Sequence, residues 1–283
     1  MKKSFYVINY RGERKPFFIT KVYRGARKAG ASKELAREIS QIIQGEAYPG
    51  IKTSEIFERI RELLNRQSLK LGIKFSLKEG MKKLGPSGFP FEKFIGEIFA
   101  RQGYKVKLNQ YLQGHCLKYE IDFLAEKENL VYVGECKFKA LLEEGLIHSE
   151  TALAYWAKTL DMRKGNVFEK KEFDGFNVKP ILVTNAKFSK SAAKYSKCTG
   201  IELLGWKCPK SGGLESIIDK NGFYPITILP SLKEGLVEVF IKRKIVLAKD
   251  VLEINPQKFS KQIGISESVL NSLIKEAKIL FEA

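Results

Sequence analysis

Cysteine, histidine, acidic charge and long apolar runs are all in short supply in this chain of 283 residues. The four cysteines, Cys116, Cys136, Cys198 and Cys208, form none of the short paired spacings of a zinc site. A chain of this length does not need disulfide staples, so the expected state is reduced and zinc-free. No run approaches the ~20 apolar residues of a membrane-spanning helix, so no membrane partner is expected. The start, Met1 to Val7, has no long apolar stretch after its lysines. A signal peptide is therefore not expected, and the expected location is cytoplasmic. No glycine-rich Walker-type loop occurs anywhere, which argues against an ATP motor. Long-period repeats and low-complexity tracts are missing as well.

The shortage of acid leaves a net charge of +18, with 50 Lys and Arg against 32 Asp and Glu. The excess is uneven. Residues 1–90 hold 20 basic and 8 acidic residues, residues 91–228 hold 21 and 17, and residues 229–283 hold 9 and 7. A field of this sign attracts polyanions and steers them to the surface, which points towards phosphates.

Three segments are expected. The first, 1–85, opens with short apolar runs at 5–8 and 17–19 around a turn at Arg11-Gly12, read as a hairpin. Helical spacing follows at 20–29, at 33–44, after Thr53 and at about 76–84. The cluster Gly85-Pro86-Ser87-Gly88 marks a boundary. The second segment, 90–228, begins with an amphipathic helix from Phe91 to Gln102. Strand-like runs at 104–109, 119–127 and 130–138 come next, then a helix over 148–164, a strand at 179–184, a helix at 189–198 and a strand at 201–204. That order predicts an α/β layout around a mixed sheet. The third segment, 229–283, is expected to be a small helical module.

The chemistry concentrates in the second segment. Asp122 lies in one strand-like run, and Glu135-Cys136-Lys137 lies in the next. Side chains alternate along a strand, so Glu135 and Lys137 share one face while Cys136 points into the other. Two carboxylates can hold a divalent cation through oxygen, and a lysine can orient water or stabilise developing charge. The plain alternative is a cross-strand ion pair on a solvated sheet face. Against it, these charges sit inside an apolar run, where unpaired ions are costly. Gly134 beside Glu135 permits close approach.

This pattern resembles the PD-(D/E)xK restriction-endonuclease-like superfamily, in particular its Mrr-like and Holliday-junction-resolvase-like branches. The resemblance spans about residues 90–210 and includes Phe91-Glu92, Gly103-Tyr104 and Leu182-Val183-Thr184-Asn185. It implies DNA phosphodiester hydrolysis with Mg²⁺ or Mn²⁺. Asp122 and Glu135 would be metal ligands, Glu92 a third acidic contributor with Glu97 a weaker candidate, and Lys137 the catalytic lysine. Ile121 stands where many members have proline. A homodimer is implied by analogy alone.

Val7, Gly12, Phe17 and Lys21, with Ile51-Lys52-Thr53-Ser54-Glu55-Ile56, resemble the ATP-cone domain. That resemblance implies a hairpin plus helices binding ATP or dATP as a regulator, with Gly12, Lys21, Thr53 and Lys82 as the matching positions. Asn9 and Tyr10 replace a Lys-Arg pair common in cones, and the basic groups lie nearby at Arg11, Arg14 and Lys15. Ile263-Gly264-Ile265-Ser266 resembles a helix-hairpin-helix turn, which implies contact with DNA backbone. A helical cap on the central domain explains it equally well. The combined reading is an α+β multidomain protein: an ATP-cone, a restriction-endonuclease-like mixed sheet and a small helical module. It would be a metal-dependent DNA endonuclease regulated by adenine nucleotide. The alternative is a nucleotide-responsive DNA-binding regulator whose nuclease fold is inert.

Overall fold

Strands in the middle third of the chain carry alternating or continuous apolar residues, and they assemble into a mixed five-stranded sheet. The structure, a computed structural model, describes residues 5–85, 88–140 and 145–282. Pro86 and Ser87 of the expected boundary lie outside the described residues.

The N-terminal unit starts with a hairpin of β1 (Tyr6–Ile8) and β2 (Arg14–Pro16). The second strand falls earlier than expected because Asn9 tightens the turn: its Oδ1 accepts from the N–H groups of Arg11 and Glu13 at 3.0 and 2.9 Å. Phe17 and Phe18 therefore follow the strand and lead into α1 (Ile19–Lys28). Four more helices complete the unit: α2 (Lys33–Glu46), α3 (Thr53–Gln67), α4 (Leu69–Phe75) and α5 (Leu77–Lys82). Ser32 caps α2 by accepting from the Leu35 N–H at 3.0 Å. The apolar stripes of α1, α2 and α3 close on Val22, Ala26, Ile39, Ile43, Ile60 and Leu64.

The middle of the chain runs α6 (Phe89–Arg101), β3 (Lys105–Gln113), β4 (Lys118–Lys127), β5 (Leu130–Lys137), β6 (Leu146–Ile147) and α7 (Ser149–Lys164). It continues with β7 (Asn177–Thr184), β8 (Lys187–Phe188), α8 (Lys190–Thr199) and β9 (Glu202–Leu204). The large sheet has the order β3-β4-β5-β7-β9. Its first three strands are antiparallel and its last three parallel, and β6 and β8 form a separate parallel pair.

Each face of the sheet has its own cover. On one, Val131 and Val133 of β5 pack with Ile121, Met162 and Phe173. On the other, Phe123, Ala125 and Cys136 join Phe91, Phe94, Ile95 and Ile98 of α6. That second core also takes in Ile73 and Met81 of the N-terminal unit and the C-terminal helices α9 (Leu214–Asn221), α10 (Val237–Lys242), α11 (Pro256–Ile263) and α12 (Glu267–Phe281). A buried bond from Thr227 Oγ1 to the Gly80 carbonyl, 2.7 Å, helps tie the C-terminal helices to α5. In the turn between α11 and α12, Gly264 takes φ +69° and Ser266 caps α12 by accepting from Val269 N–H at 3.4 Å.

Candidate active site

Burial alternates along β5 as its sequence requires, and Glu135 and Lys137 share the face covered by α7. Cys136 points the other way, and its thiol is pushed well above its ordinary pKa by burial, with Asp122 adding to the shift. Gly134 is required by packing. A Cβ there would stand 2.1 Å from the Phe123 ring, which lies across the strand.

Asp122 does not follow simple alternation. Ile121 and Phe123 are two residues apart, so a regular strand would place them on one face. Instead Ile121 packs in the α7-side core and Phe123 in the α6-side core, so β4 turns over at Asp122. The β3–β4 register skips Asp122 and the facing residue of β3, Asn109, which has φ +50°, and the β4–β5 register ends at Phe123. The freed carboxylate reaches across to β5, where Asp122 Oδ2 accepts from the Cys136 N–H at 2.6 Å.

Glu135 is clasped by two lysines. Lys137 Nζ donates to Oε1 at 2.6 Å, and Lys158 Nζ, from α7, donates to Oε2 at 2.8 Å. Lys158 also donates to the Glu120 carbonyl and sits 5.8 Å from the centre of the Tyr119 ring. Burial alone would raise the Glu135 carboxyl; Lys158 and then Lys137 more than offset it, and the net shift is downward. Lys137 is half-buried, which alone would lower it, but the Glu135 carboxylate holds it above the ordinary lysine value. Asp122 is pushed up to about 6, first by burial and then by the Glu135 charge. Glu92 on α6 is also raised, mainly by burial, although Asn109 Nδ2 donates to its Oε2 at 3.4 Å. Glu92 thus adds, after Glu135, to the load on Asp122. Glu97 faces elsewhere, bound to Arg101 at 2.7 Å.

The end of β5 is held from below. Tyr155 of α7 donates to the Val133 carbonyl. Thr184 Oγ1 donates to the Lys137 carbonyl at 2.6 Å, and the Asn185 amide bonds both the N–H and the carbonyl of Lys139 at 2.8 and 2.9 Å. An open cleft of about 540 Å³ lies in front, lined by Glu135, Lys137, Lys158, Tyr119 and Glu150 among others. Asp122 and Glu92 are not part of that lining. Among the described residues no group of three or more His, Cys, Asp or Glu side chains is placed to hold a metal ion. Asp122 and Glu135 are the pair of carboxylates that could share a hard cation through oxygen.

Sequence reasoning missed Lys158. Its signal was legible in the helical spacing Thr151, Ala154, Tyr155, Lys158, which puts one lysine on the face of α7 that lines the cleft.

The N-terminal positions separate into two groups. Hydrogen bonds from Ile8 N–H to the Ile51 carbonyl and from Gly50 N–H to the Tyr6 carbonyl, 3.0 and 2.8 Å, bring the start of α3 against the hairpin. Lys21 and Thr53 consequently line one cavity of about 600 Å³. Gly12, at the hairpin turn with φ +77°, and Lys82, paired with Glu79 at 2.8 Å, are not in its lining. Asn9 lines it, while Tyr10 is exposed.

A family model described as AF1548-like, C-terminal, matches residues 224–281. A protein of Archaeoglobus fulgidus described as uncharacterized is 35% identical over 185 residues, which is 65% of this chain and 98% of its own. The chain belongs to the AF1548-like family. The crystal structure of AF1548, titled a protein of unknown function, superimposes with a TM-score of 0.58 at 30% identity, over 69% of this chain and 99% of that one. About a third of this chain therefore has no counterpart in either AF1548-like relative. An MspJI restriction endonuclease in complex with a 27-mer oligonucleotide superimposes with a TM-score of 0.32 at 14% identity, over 54% of this chain and 36% of that one. That likeness is too remote to bear on function.

Proposed function

We propose that this AF1548-like chain is a metal-dependent DNA endonuclease of the PD-(D/E)xK type with an adenine-nucleotide-binding ATP-cone at its N-terminus. One observation carries the reading: Asp122 leaves the strand ladder to meet β5, where Glu135 is held between two lysines at an open cleft. A structural ion pair needs neither the break in β4 nor a second cation.

In this reading Asp122 and Glu135 hold Mg²⁺ or Mn²⁺ through oxygen, with Glu92 contributing. The raised values of Asp122 and Glu92 support it, since crowded, poorly solvated carboxyls are what a hard cation relieves. When bound, the cation would neutralise charge on the scissile phosphate and make a water more acidic. Lys137, held protonated by Glu135, acts as a cation and not as a base. It orients the attacking water and stabilises charge on the phosphate oxygens. Lys158 keeps Glu135 ionised and fixes its direction. The surplus of +18 draws the DNA backbone to the surface.

The test is nicking of supercoiled DNA with Mg²⁺ or Mn²⁺. Cleavage should vanish in Asp122→Asn and Lys137→Ala while DNA binding persists. Equal cleavage by wild type and both variants would end the assignment. A second reading, an inert nuclease fold serving as a DNA-binding regulator, draws on the fact that both Glu135 oxygens already carry lysines. Calorimetry with Mn²⁺ separates the two: a regulator shows no heat that Asp122→Asn removes.

A further inference from the structure

The cavity that holds Lys21 and Thr53 is not confined to the N-terminal unit. Its opposite wall is Lys187 of β8 together with Trp206 and Lys207, which follow β9 at the sheet's edge. Eight Lys and Arg line the cavity against three Asp and Glu. One pairing crosses the gap, Lys28 Nζ to Glu215 Oε2 at 2.8 Å. Lys207 lies beside the same pair: burial and then the Lys28 charge lower its pKa, and Glu215 offsets part of that shift. Two ammonium groups beside one carboxylate leave a positive excess that a further anion would relieve.

A second observation is independent of charge. Phe17, Phe57 and Phe75 add aromatic surface to the same cavity, and Trp206 stands on the opposite wall. Lysines on two walls and aromatic rings suit a ligand with a phosphate chain and a base.

We propose that this cavity is a two-sided nucleoside triphosphate site, in which Lys187, Lys207 and the Trp206 ring of the sheet's edge complete the pocket begun by Lys21 and Thr53. The inference rests on the nucleotide reading of the N-terminal unit and adds the second wall. A ligand gripped from both sides binds the two units together, so it strengthens their contact by the difference in affinity between the two-sided and one-sided pocket.

The test uses the full chain carrying Trp156→Phe, which leaves Trp206 as its sole tryptophan. Titration with ATP, with inorganic triphosphate and with AMP is followed by Trp206 emission and by calorimetry. ATP should change the emission and bind more tightly than AMP. Lys187→Gln and Lys207→Gln should each weaken ATP about ten-fold, the loss of one charge-assisted hydrogen bond, and Lys21→Gln should do the same. If Lys21→Gln weakens ATP while Lys187→Gln and Lys207→Gln bind it like the parent, the second wall is refuted and the nucleotide reading survives. Absence of ATP binding by the parent chain refutes both. Binding of inorganic triphosphate without ATP also refutes both, and leaves a plain polyanion site.

Discussion

Two carboxyls separated by one hydrogen-bonded strand pair behave in opposite ways here, and the difference is a matter of neighbours. Glu135 has two ammonium groups and is held ionised; Asp122 has a single backbone N–H and is raised to about 6. Because the folded value of Asp122 lies above its ordinary 3.8, folding favours the protonated acid. That contribution is fully present below about pH 4 and is lost as pH rises through about 6, a span on the order of 3 kcal/mol. Asp122→Asn, which keeps an acceptor for the Cys136 N–H, should therefore melt higher than wild type at pH 8 in chelator, with the gap closing towards pH 4. Added Mg²⁺ should raise the wild-type melting temperature at pH 8 and leave that of Asp122→Asn unchanged. Glu135 obeys the reverse sign: its depressed value stabilises the fold above the ordinary carboxyl range, and that stability is lost as the site is acidified. Lys158→Met should cost roughly 1–3 kcal/mol in denaturant melts at pH 7, since it removes one partner of a mostly buried pair. Lys137→Ala, at a more exposed pair, should cost less stability and far more cleavage.

Strand β5 is the element on which the candidate site is built, and its constraints come from both faces. Gly134→Ala would drive a methyl group into the Phe123 ring and should destabilise by about 1–3 kcal/mol, read as a lower melting temperature at unchanged fold. Asn185→Ala should loosen the strand's C-terminal end by breaking both bonds to Lys139, and lower cleavage more than binding if Lys137 then loses its place. The alternation that puts Glu135 and Lys137 together was legible in the residues, because a strand's period of two needs no tertiary knowledge. Helix α7, expected over 148–164, was legible from residues close in sequence as well. The turn-over of β4 at Asp122 was not. Nothing in Tyr119-Glu120-Ile121-Asp122-Phe123 signals it, since it arises from Ile121 and Phe123 being drawn into different cores. Helices α4, α9 and α10 also escaped sequence reading: each is short, and its stability comes from packing and not from its own periodicity.

The whole molecule is organised around a strongly basic surface and a core that runs from α4 and α5 through α6 into the C-terminal helices. If DNA is the partner, affinity should fall steeply with salt. A binding curve repeated from 50 to 200 mM salt should lose on the order of 10³-fold if six or more phosphates are contacted. A flat salt response would mean that the charge serves something else. The C-terminal helices had two readings in the sequence, a DNA-contact module and a cap on the central domain, and a shared core is what a cap requires. Leu270, Leu273 and Ala277 of α12 bury themselves in the same cluster as Phe91 and Phe123.

The residues alone determined the local quantities: which runs alternate, where Glu135 and Lys137 face, how much positive charge the chain carries. Those depend on bond geometry and composition within a few residues. Tertiary structure decided what stands opposite them. It set Lys158 on Glu135 and freed Asp122 from its ladder. It also placed Trp206, Lys187 and Lys207 across from Lys21, because such meetings are fixed by packing between elements far apart in the chain.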